Sequence, residues 1–504
     1  MDKPSEEPIL STEEKPQSCV EKSHACLKRT ISQGMIMFFF VYTNIFNYLE
    51  RSLLPGCVDL IQAFIAEEYP DNKQFLYGLL QSAFILGYSV ASALFGYYSD
   101  PNKPFFTISL GIVIWLFAVV LTGLSPNYCV LFLARVVSGV GEASFQIVVP
   151  AYIDDYAPQD KVGRWLAYLY CAMPVGSALG FSLSGIISEY LGWRFLFFLV
   201  PVFILPVLVV FLLYPYDPSE KTHTPTADEE TSVQSISYCK ALYLLTKSLT
   251  FDMVILGDAV IMFVGTAVSS FISKILMGLK IFDNESTASL AFGILGASAG
   301  FIGTSSFDAS ILTRHLCWRS AAGSYESNWQ NQASQDLCPP RCVCCFCPLW
   351  VVRTAIGTII SGFVSCALAF NRYLFLGGLF FTCSFLYSSN SSYTLAVLTS
   401  VPSYLRPMAL GIGMILIHLL GDVPSPAIFG AFLDFLIGNE KDPDRLYDLY
   451  LIAMLAIVIY GCFIVCLSSS YSMSSLCSGA LVIVMSVTST ETTWSLQRLR
   501  WCLR

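Results

Sequence analysis

Residues 135–144 read RVVSGVGEAS. They sit inside a run of about two dozen residues that is otherwise apolar or small, and the meaning of that run decides the fold. An arginine and a glutamate seven positions apart interrupt a stretch suited to hydrocarbon. A charged side chain near the centre of a bilayer costs about 2.5 to 3.5 kcal/mol on insertion scales, so such a residue marks a role rather than an accident.

The surrounding chain supports a membrane setting. Of 504 residues, 55% are hydrophobic and 13% charged, and the mean hydropathy is +0.62. That apolar content exceeds what a soluble core of this length could bury. The net charge of −8 is dispersed over loops and tails and offers no basic patch for nucleic acid.

A helix needs roughly 20 apolar residues to cross a layer about 30 Å thick. About twelve stretches qualify, near 34–57, 76–98, 105–124, 128–153, 162–188, 193–214, 250–277, 288–312, 349–370, 373–400, 408–435 and 449–468. The tenth is weakened by YSSNSS at 387–392, and GALVIVM at 479–485 is too short to span. The expected fold is all-α, a polytopic membrane protein with twelve transmembrane helices in two six-helix bundles. The expected division is a cytoplasmic tail 1–33, an N-terminal bundle 34–214, a cytoplasmic linker 215–249, a C-terminal bundle 250–468 and a tail 469–504. A Cys-rich cytoplasmic loop, 313–348, lies within the second bundle. The polar, acidic start lacks the basic region and cleavage site of a signal peptide, so it is expected to stay on the mature chain.

Lysine and arginine are retained on the cytoplasmic side during insertion. With the N-terminus inside, the tail and inner loops hold 15 of them between Lys3 and Arg406, and the outer loops about half as many. Both termini are then cytoplasmic. Two six-helix halves joined by a soluble linker suit a rocking carrier.

Arg135 and Glu142, one heptad apart, stand only about 20° out of line on a helix and roughly 10 Å apart along its axis. Ser138 and Gly139 share their face and admit a close neighbour. The spacing is too long for a direct pair of the i, i+4 kind, so each charge needs a partner on another helix. NIFNYLER at 44–51 offers one: Asn44, Asn47 and Arg51 form a stripe with Tyr48 and Glu50 beside it. Helical rise places Glu50, Arg51 and Arg135 at similar depth, with Glu142 nearer the middle. The expectation is a buried cluster of Glu50, Arg51, Arg135 and Glu142 bridged by Asn44, Asn47 and Tyr48. The competing expectation is that Glu50 and Arg51 snorkel to the outer surface. In a dry cavity a carboxylate is pushed toward its protonated form by desolvation and away from it by an arginine, so a change of partner moves a proton. An arginine freed in this way could engage an anionic headgroup.

HLLGD at 418–422 puts His418 and Asp422 at i, i+4. They could relay protons or, as the favoured reading, be a packed pair holding the helix break at VPSPA, where Pro424 and Pro426 remove backbone donors. Asp258 is a lone acid in the seventh span, held as cavity-lining together with Asn44, Asn47, Tyr48, Ser138, His418 and Asp422. CPPRCVCCFCP contains Cys338, Cys342, Cys344, Cys345 and Cys347. It has neither paired C-x-x-C motifs nor adjacent histidines, and its expected reducing compartment argues against zinc and disulfides. S-acylation and an unmodified loop remain open. No metal and no cofactor is expected. GVGEAS follows no strand, so it fails as a nucleotide-binding turn, and GILGASAGFIG at 293–303 suits close helix packing. Asn284 fits an outer glycosylation site and Asn390, inside a span, does not.

NYLER at 47–51, GYYSD at 96–100, the run from Arg135 to Gly180 and LIHLLGDVPSPAIFGAFLD at 416–434 resemble the Spinster branch of the major facilitator superfamily. The resemblance covers about 35–468. It implies two helical bundles around a central cavity, alternating access, and transport of lipid-like substrates such as lysophospholipids or sphingoid phosphates, with proton coupling in several members. Glu50 and Arg51 take the places of the first-span acid and arginine, where Asp is more usual, and Arg135 and Glu142 match the fourth-span pair. The inner-gate motif departs from the family: Gly96 and Asp100 remain, Ser99 replaces a glycine, and only Lys103 follows of the usual basic residues.

The expected function is a secondary active transporter of an anionic lipid-like substrate, coupled to protons, acting as a monomer. A carrier of a small water-soluble organic anion or sugar is the alternative, and a non-transporting receptor or scaffold a further one. Four histidines in the chain, one of them clearly inside a span, give an enzyme little to work with. EEPIL at 6–10 resembles acidic sorting signals, with Ser5 where the acid usually stands, so the lysosomal or late endosomal membrane and the plasma membrane are both expected locations.

Overall fold

The computed structural model describes residues 33–98, 103–158, 161–214, 243, 245, 249–322, 356–400, 406–438, 440 and 442–460. Most of the N-terminal tail, the linker, Asp100, the five cysteines of the 338–347 run and the C-terminal tail lie outside the described residues.

The described chain is almost entirely helical. Seven helices come first: α1 (Gln33–Leu53), α2 (Val58–Ala66), α3 (Lys73–Tyr98), α4 (Pro104–Leu124), α5 (Tyr128–Tyr156), α6 (Val162–Leu191) and α7 (Trp193–Leu213). After the linker come α8 (Leu249–Gly278), α9 (Glu285–Ala322), α10 (Ile356–Ala367), α11 (Arg372–Ser400), α12 (Arg406–Ile417), a π-turn (His418–Asp422), α13 (Pro424–Ile437) and α14 (443–460). Among the described residues, eight helical segments are long and apolar enough to cross a membrane. The protein is multi-pass.

Boundaries follow local chemistry. Asn127 caps α5 by accepting the amide of Val130 at 3.0 Å, a common N-cap. Lys103 lies at the start of α4 with Pro104 in its first turn, where a missing N–H costs nothing. Gly192, at φ +78°, separates α6 from α7, a conformation open mainly to glycine.

Three expectations are corrected. The first span ends at Leu53 rather than residue 57, and a second short helix, α2, fills what the sequence reading left as an outer loop. Its Val58, Ile61 and Ile65 are buried, so apolar contact, not membrane crossing, explains the apolar run there. YSSNSS does not interrupt its helix: α11 runs on to Ser400. The eighth stretch is longer than read, from Glu285 to Ala322.

Successive membrane-spanning helices alternate direction, α2 being too short to span and α12 to α13 forming one span, so 54–72, 192 and 279–284 gather at one end, called the distal end here. There the N-terminal and C-terminal stretches meet. Ser273 donates to the carbonyl of Pro55 at 3.1 Å, Ser289 to that of Gly56 at 2.9 Å, and Tyr77 to that of Ser270 at 3.0 Å. Asp434 accepts the amide of Phe75 at 2.8 Å. A Cβ on Gly78 would stand 2.0 Å from the carbonyl oxygen of Pro426, so α3 and α13 touch backbone to backbone. Lys274 bonds Gln62 and lies 3.4 Å from Asp59, closing the seam with charge.

Candidate functional site

The glycines of RVVSGVGEAS place the charges. A Cβ on Gly139 would lie 2.1 Å from the carbonyl of Phe84, and one on Gly141 would lie 2.4 Å from the amide of Trp115. α3 and α4 therefore close on α5 from two sides. Ser138, Arg135 and Glu142 between them are buried. Glu50 is buried as well, so it does not snorkel, and the Arg51 side chain keeps 25% of its exposure.

The four charges form two crossed pairs between α1 and α5. Arg135 Nη1 donates to Glu50 Oε1, both side chains wholly buried. Arg51 Nε donates to Glu142 Oε1 at 2.8 Å, and Arg51 Nη2 lies 2.7 Å from the same oxygen. Each acid meets an arginine of the other helix, and adjacent residues on α1 point about 100° apart, so the two pairs lie side by side once α1 is turned to face α5. Neither pair is a two-oxygen fork. Oε2 of both glutamates, Nε and Nη2 of Arg135 and Oγ of Ser138 are buried without a hydrogen-bond partner among the described residues. Half-satisfied buried charges are costly, and these free atoms lie where a proton or an anion would satisfy them.

Aromatic rings complete the surroundings. Arg51 lies 4.8 Å from the Tyr48 ring centre, 5.0 Å from Phe84 and 4.9 Å from Tyr88. Arg135 lies 4.9 Å from Phe84. Such rings hold a guanidinium that has shed water. Tyr48 thus joins the cluster through its ring.

Two predicted bridges are not made. Asn44 donates to the carbonyl of Leu169 at 2.8 Å and accepts from Gln146 at 2.7 Å, tying α1 to α6 and α5 rather than to a carboxylate. Asn47 is buried with its Nδ2 unpartnered. Phe84, Tyr88 and Gln146 were absent from the sequence reading. Their signal was weak, since an aromatic or amide on an apolar helix reads as core.

His418 and Asp422 pair at 2.6 Å, and Asp422 also accepts from Thr266 at 2.7 Å. The intervening chain is a π-turn, a local widening common at functional positions. Pro426 cannot donate to the Asp422 carbonyl, which instead accepts from Ser425 Oγ at 3.3 Å. Asp258 is buried apart from the arginine pairs. Gly96 and Lys103 are exposed and join neither group. Asn284 is exposed at the α8–α9 turn. Among the described residues no group of three or more His, Cys, Asp and Glu could hold a metal ion.

Residues 30–426 match the Major Facilitator Superfamily. The chain belongs to that superfamily. Its relatives include the probable sphingolipid transporter spinster homolog 1 of Arabidopsis thaliana, 27% identical over 485 residues, covering 88% of this chain and 90% of that protein. Protein spinster homolog 3 of Homo sapiens is 25% identical over 415 residues, covering 80% and 75%. These agree with the resemblance read in the motifs. Among solved structures, a bacterial homolog of the human lysosomal transporter Spinster, inward-facing and occupied, superposes with a TM-score of 0.63 at 16% identity, covering 88% of this chain and 97% of that one. A D-xylose-proton symporter gives 0.60 at 15% identity, covering 84% and 96%. Both share the fold, and the protein is a transporter of the superfamily's kind.

Proposed function

We propose that the protein is a proton-coupled secondary carrier of an anionic, lipid-like substrate such as a lysophospholipid or sphingoid phosphate, working by alternating access. The observation that carries this reading is the pair of crossed α1–α5 ion pairs, each with a free buried oxygen and, on Arg135, free buried nitrogens. When the two halves rock, Arg51 leaves Glu142, the carboxylate takes a proton, and the freed guanidinium engages the headgroup anion. Protonation and conformation are thereby linked.

An apolar cavity of about 250 Å³ supports a lipid tail. It lies among α8, α9, α10, α11 and α14, and Val264, Val268, Phe292, Leu386, Met454 and Val458 line most of it, with hydroxyl residues such as Thr266 and Thr382 among them. A headgroup at Arg51 and a chain in this cavity would span both halves. Transport by the Arabidopsis relative, named a probable sphingolipid transporter, accords with this substrate class. With the N-terminus cytoplasmic, the distal seam is the outer gate, shut here. The location proposed with this reading is a lysosomal or late endosomal membrane, with the plasma membrane the other candidate.

The test is uptake into proteoliposomes of sphingosine phosphate, lysophosphatidylcholine, xylose and a small organic anion under an imposed pH gradient. The expected result is lipid uptake that rises with the gradient, and loss of that dependence in Glu142→Gln. Uptake of xylose or the small anion alone favours the water-soluble alternative. Unchanged proton dependence in Glu142→Gln removes the mechanism.

A further inference from the structure

At the distal end, the C-terminal stretch encloses a pocket that the cycle at Glu142 does not use. Lys280 reaches it from the α8–α9 turn, Phe370 and Arg372 from the junction of α10 and α11, and Asp444, Tyr447 and Asp448 from the first turns of α14. Its volume is about 590 Å³, within the range of about 300 to 1,000 Å³ usual for sites that hold small molecules. Three separate parts of the chain thus bring two cations, two carboxylates and two aromatic rings to one opening.

The charges are not all spoken for. Lys280 Nζ donates to Asp444 Oδ1 at 2.6 Å, and Arg445, also on α14, lies 3.4 Å from Glu440. Arg372 and Asp448 are exposed and form no ion pair among the described residues. The Arg372 guanidinium rests 5.7 Å from the ring centre of Phe282. One spare cation and one spare anion therefore share the pocket. A simple anion drawn to Arg372 would also face two carboxylates, and a metal ion drawn to the carboxylates would face Arg372 and Lys280. A ligand that carries both charges meets neither repulsion. An arginine fork matches a phosphate, while a quaternary ammonium is attracted by carboxylates and by aromatic faces such as those of Phe370 and Tyr447.

The surroundings suit an amphiphile. Phe370 is 77% exposed and its neighbour Tyr373 80%, at the ends of two spans, where aromatic rings commonly sit at the boundary of membrane and water. Away from the pocket along α10, Val364, Ile360 and Ile356 are all exposed. Their four-residue spacing puts them on one stripe of the helix, so a polar opening passes into an apolar surface long enough to take an acyl chain.

We propose that this pocket binds a zwitterionic phospholipid of the surrounding bilayer, with its phosphate on Arg372, its quaternary ammonium against Asp448, Tyr447 and Phe370, and an acyl chain along the exposed stripe of α10. The site is distinct from the one at Arg51 and stands whether or not the transported substrate is a lipid.

The test is photolabelling of the full-length protein in detergent micelles with a phosphatidylcholine that carries a diazirine beside its headgroup, followed by mapping of the labelled peptides. Label is expected on the peptides that contain Phe370 to Tyr373 and Asp444 to Asp448. Arg372→Ala and Asp448→Asn each remove one charged contact and are expected to lower the label there about tenfold, with label on other peptides unchanged. Unlabelled phosphatidylcholine should compete, and phosphatidylglycerol, which lacks the ammonium, should compete poorly. Unchanged labelling of these peptides in either variant overturns the proposal. Equal competition by phosphatidylglycerol overturns the zwitterion, and competition by soluble phosphocholine as strong as by the lipid overturns the bilayer as its source. Labelling is read without transport, so this conclusion and the uptake result can fail separately.

Discussion

Tyr88 stands edge-on to His418, with ring centres 5.6 Å apart and planes at 89°, while the same ring lies 4.9 Å from the guanidinium of Arg51. One side chain of α3 therefore touches both charged groups, the α1–α5 ion pairs on one side and the π-turn on the other. A ring that can follow Arg51 is placed to report its movement to His418. Tyr88→Leu removes both contacts at a cost to folding of about 1 kcal/mol. The expected outcome is a small change in melting temperature with roughly tenfold slower uptake in proteoliposomes, and near-normal uptake in Tyr88→Phe, which keeps the ring. Equal loss in both variants would assign the effect to the hydroxyl.

The Glu50–Arg135 pair is wholly buried, so removing one partner strands the other. Glu50→Ala is expected to destabilise the protein by about 3 to 5 kcal/mol, seen as a large fall in melting temperature in detergent. The double variant Glu50→Leu, Arg135→Met should recover much of that loss, since a buried pair replaced by apolar groups is often neutral for folding. It should not recover proton-dependent uptake. A double variant that transports normally would show the pair to be scaffolding only.

At the distal seam, Gly78→Val adds atoms where even a Cβ would collide with the Pro426 carbonyl. Backbone cannot yield as a side chain can, and overpacking of this kind costs about 1 to 3 kcal/mol. The closed seam bears that cost and the parted seam does not. The expected outcome is faster reaction of a cysteine introduced at Ser289 with a membrane-impermeant thiol reagent. An unchanged rate would mean that this contact does not set the position of the gate.

The Lys280–Asp444 pair, at 2.6 Å, serves as a contrast. Lys280 holds the fully exposed Asp444 carboxyl below its ordinary range. A lowered carboxylate stabilises above its ordinary range and loses that contribution as pH falls through the lowered value. Solvent screening makes such surface pairs nearly worthless, so Asp444→Asn is expected to leave the melting curve unchanged between acid and neutral pH. Lys280 itself sits at φ +53°, where glycine is at ease. Lys280→Gly should therefore raise stability by up to about 1 kcal/mol, measured by thermal unfolding.

Which parts of this architecture could be read from the residues depended on the range of the interactions. The cost of burying Arg135 and Glu142, and the heptad that keeps them from pairing with each other, are properties of one helix, and the match in depth to Glu50 and Arg51 needs only the helical rise. The crossing of the pairs depends on how α1 is rotated against α5, which no local pattern states. Asn44 looked like a bridge because it shares a stripe with Arg51, yet the Leu169 carbonyl on α6 claims it. Val58–Ala66 read as an outer loop because nine residues are too few to span, and the first span read four residues too long because apolar residues that pack at a helix end look like those that face lipid. Tyr88 gave no sign, since its importance lies in two partners from distant parts of the chain. The π-turn was visible only as a proline-marked break at 423–427.

The distal seam has a mechanical implication. Its bonds run from hydroxyls of Ser273, Ser289 and Tyr77 to main-chain oxygens, and its tightest contact is a glycine against a carbonyl. Tyr77 also meets the ring of Phe271 edge to face at 5.1 Å across the seam, so separation parts one pair of rings, while water can take over each hydrogen-bond donor and acceptor as it is released. A surface fastened in this manner parts in small, reversible steps and re-forms in the same register, as a door that must open and shut on every turnover requires.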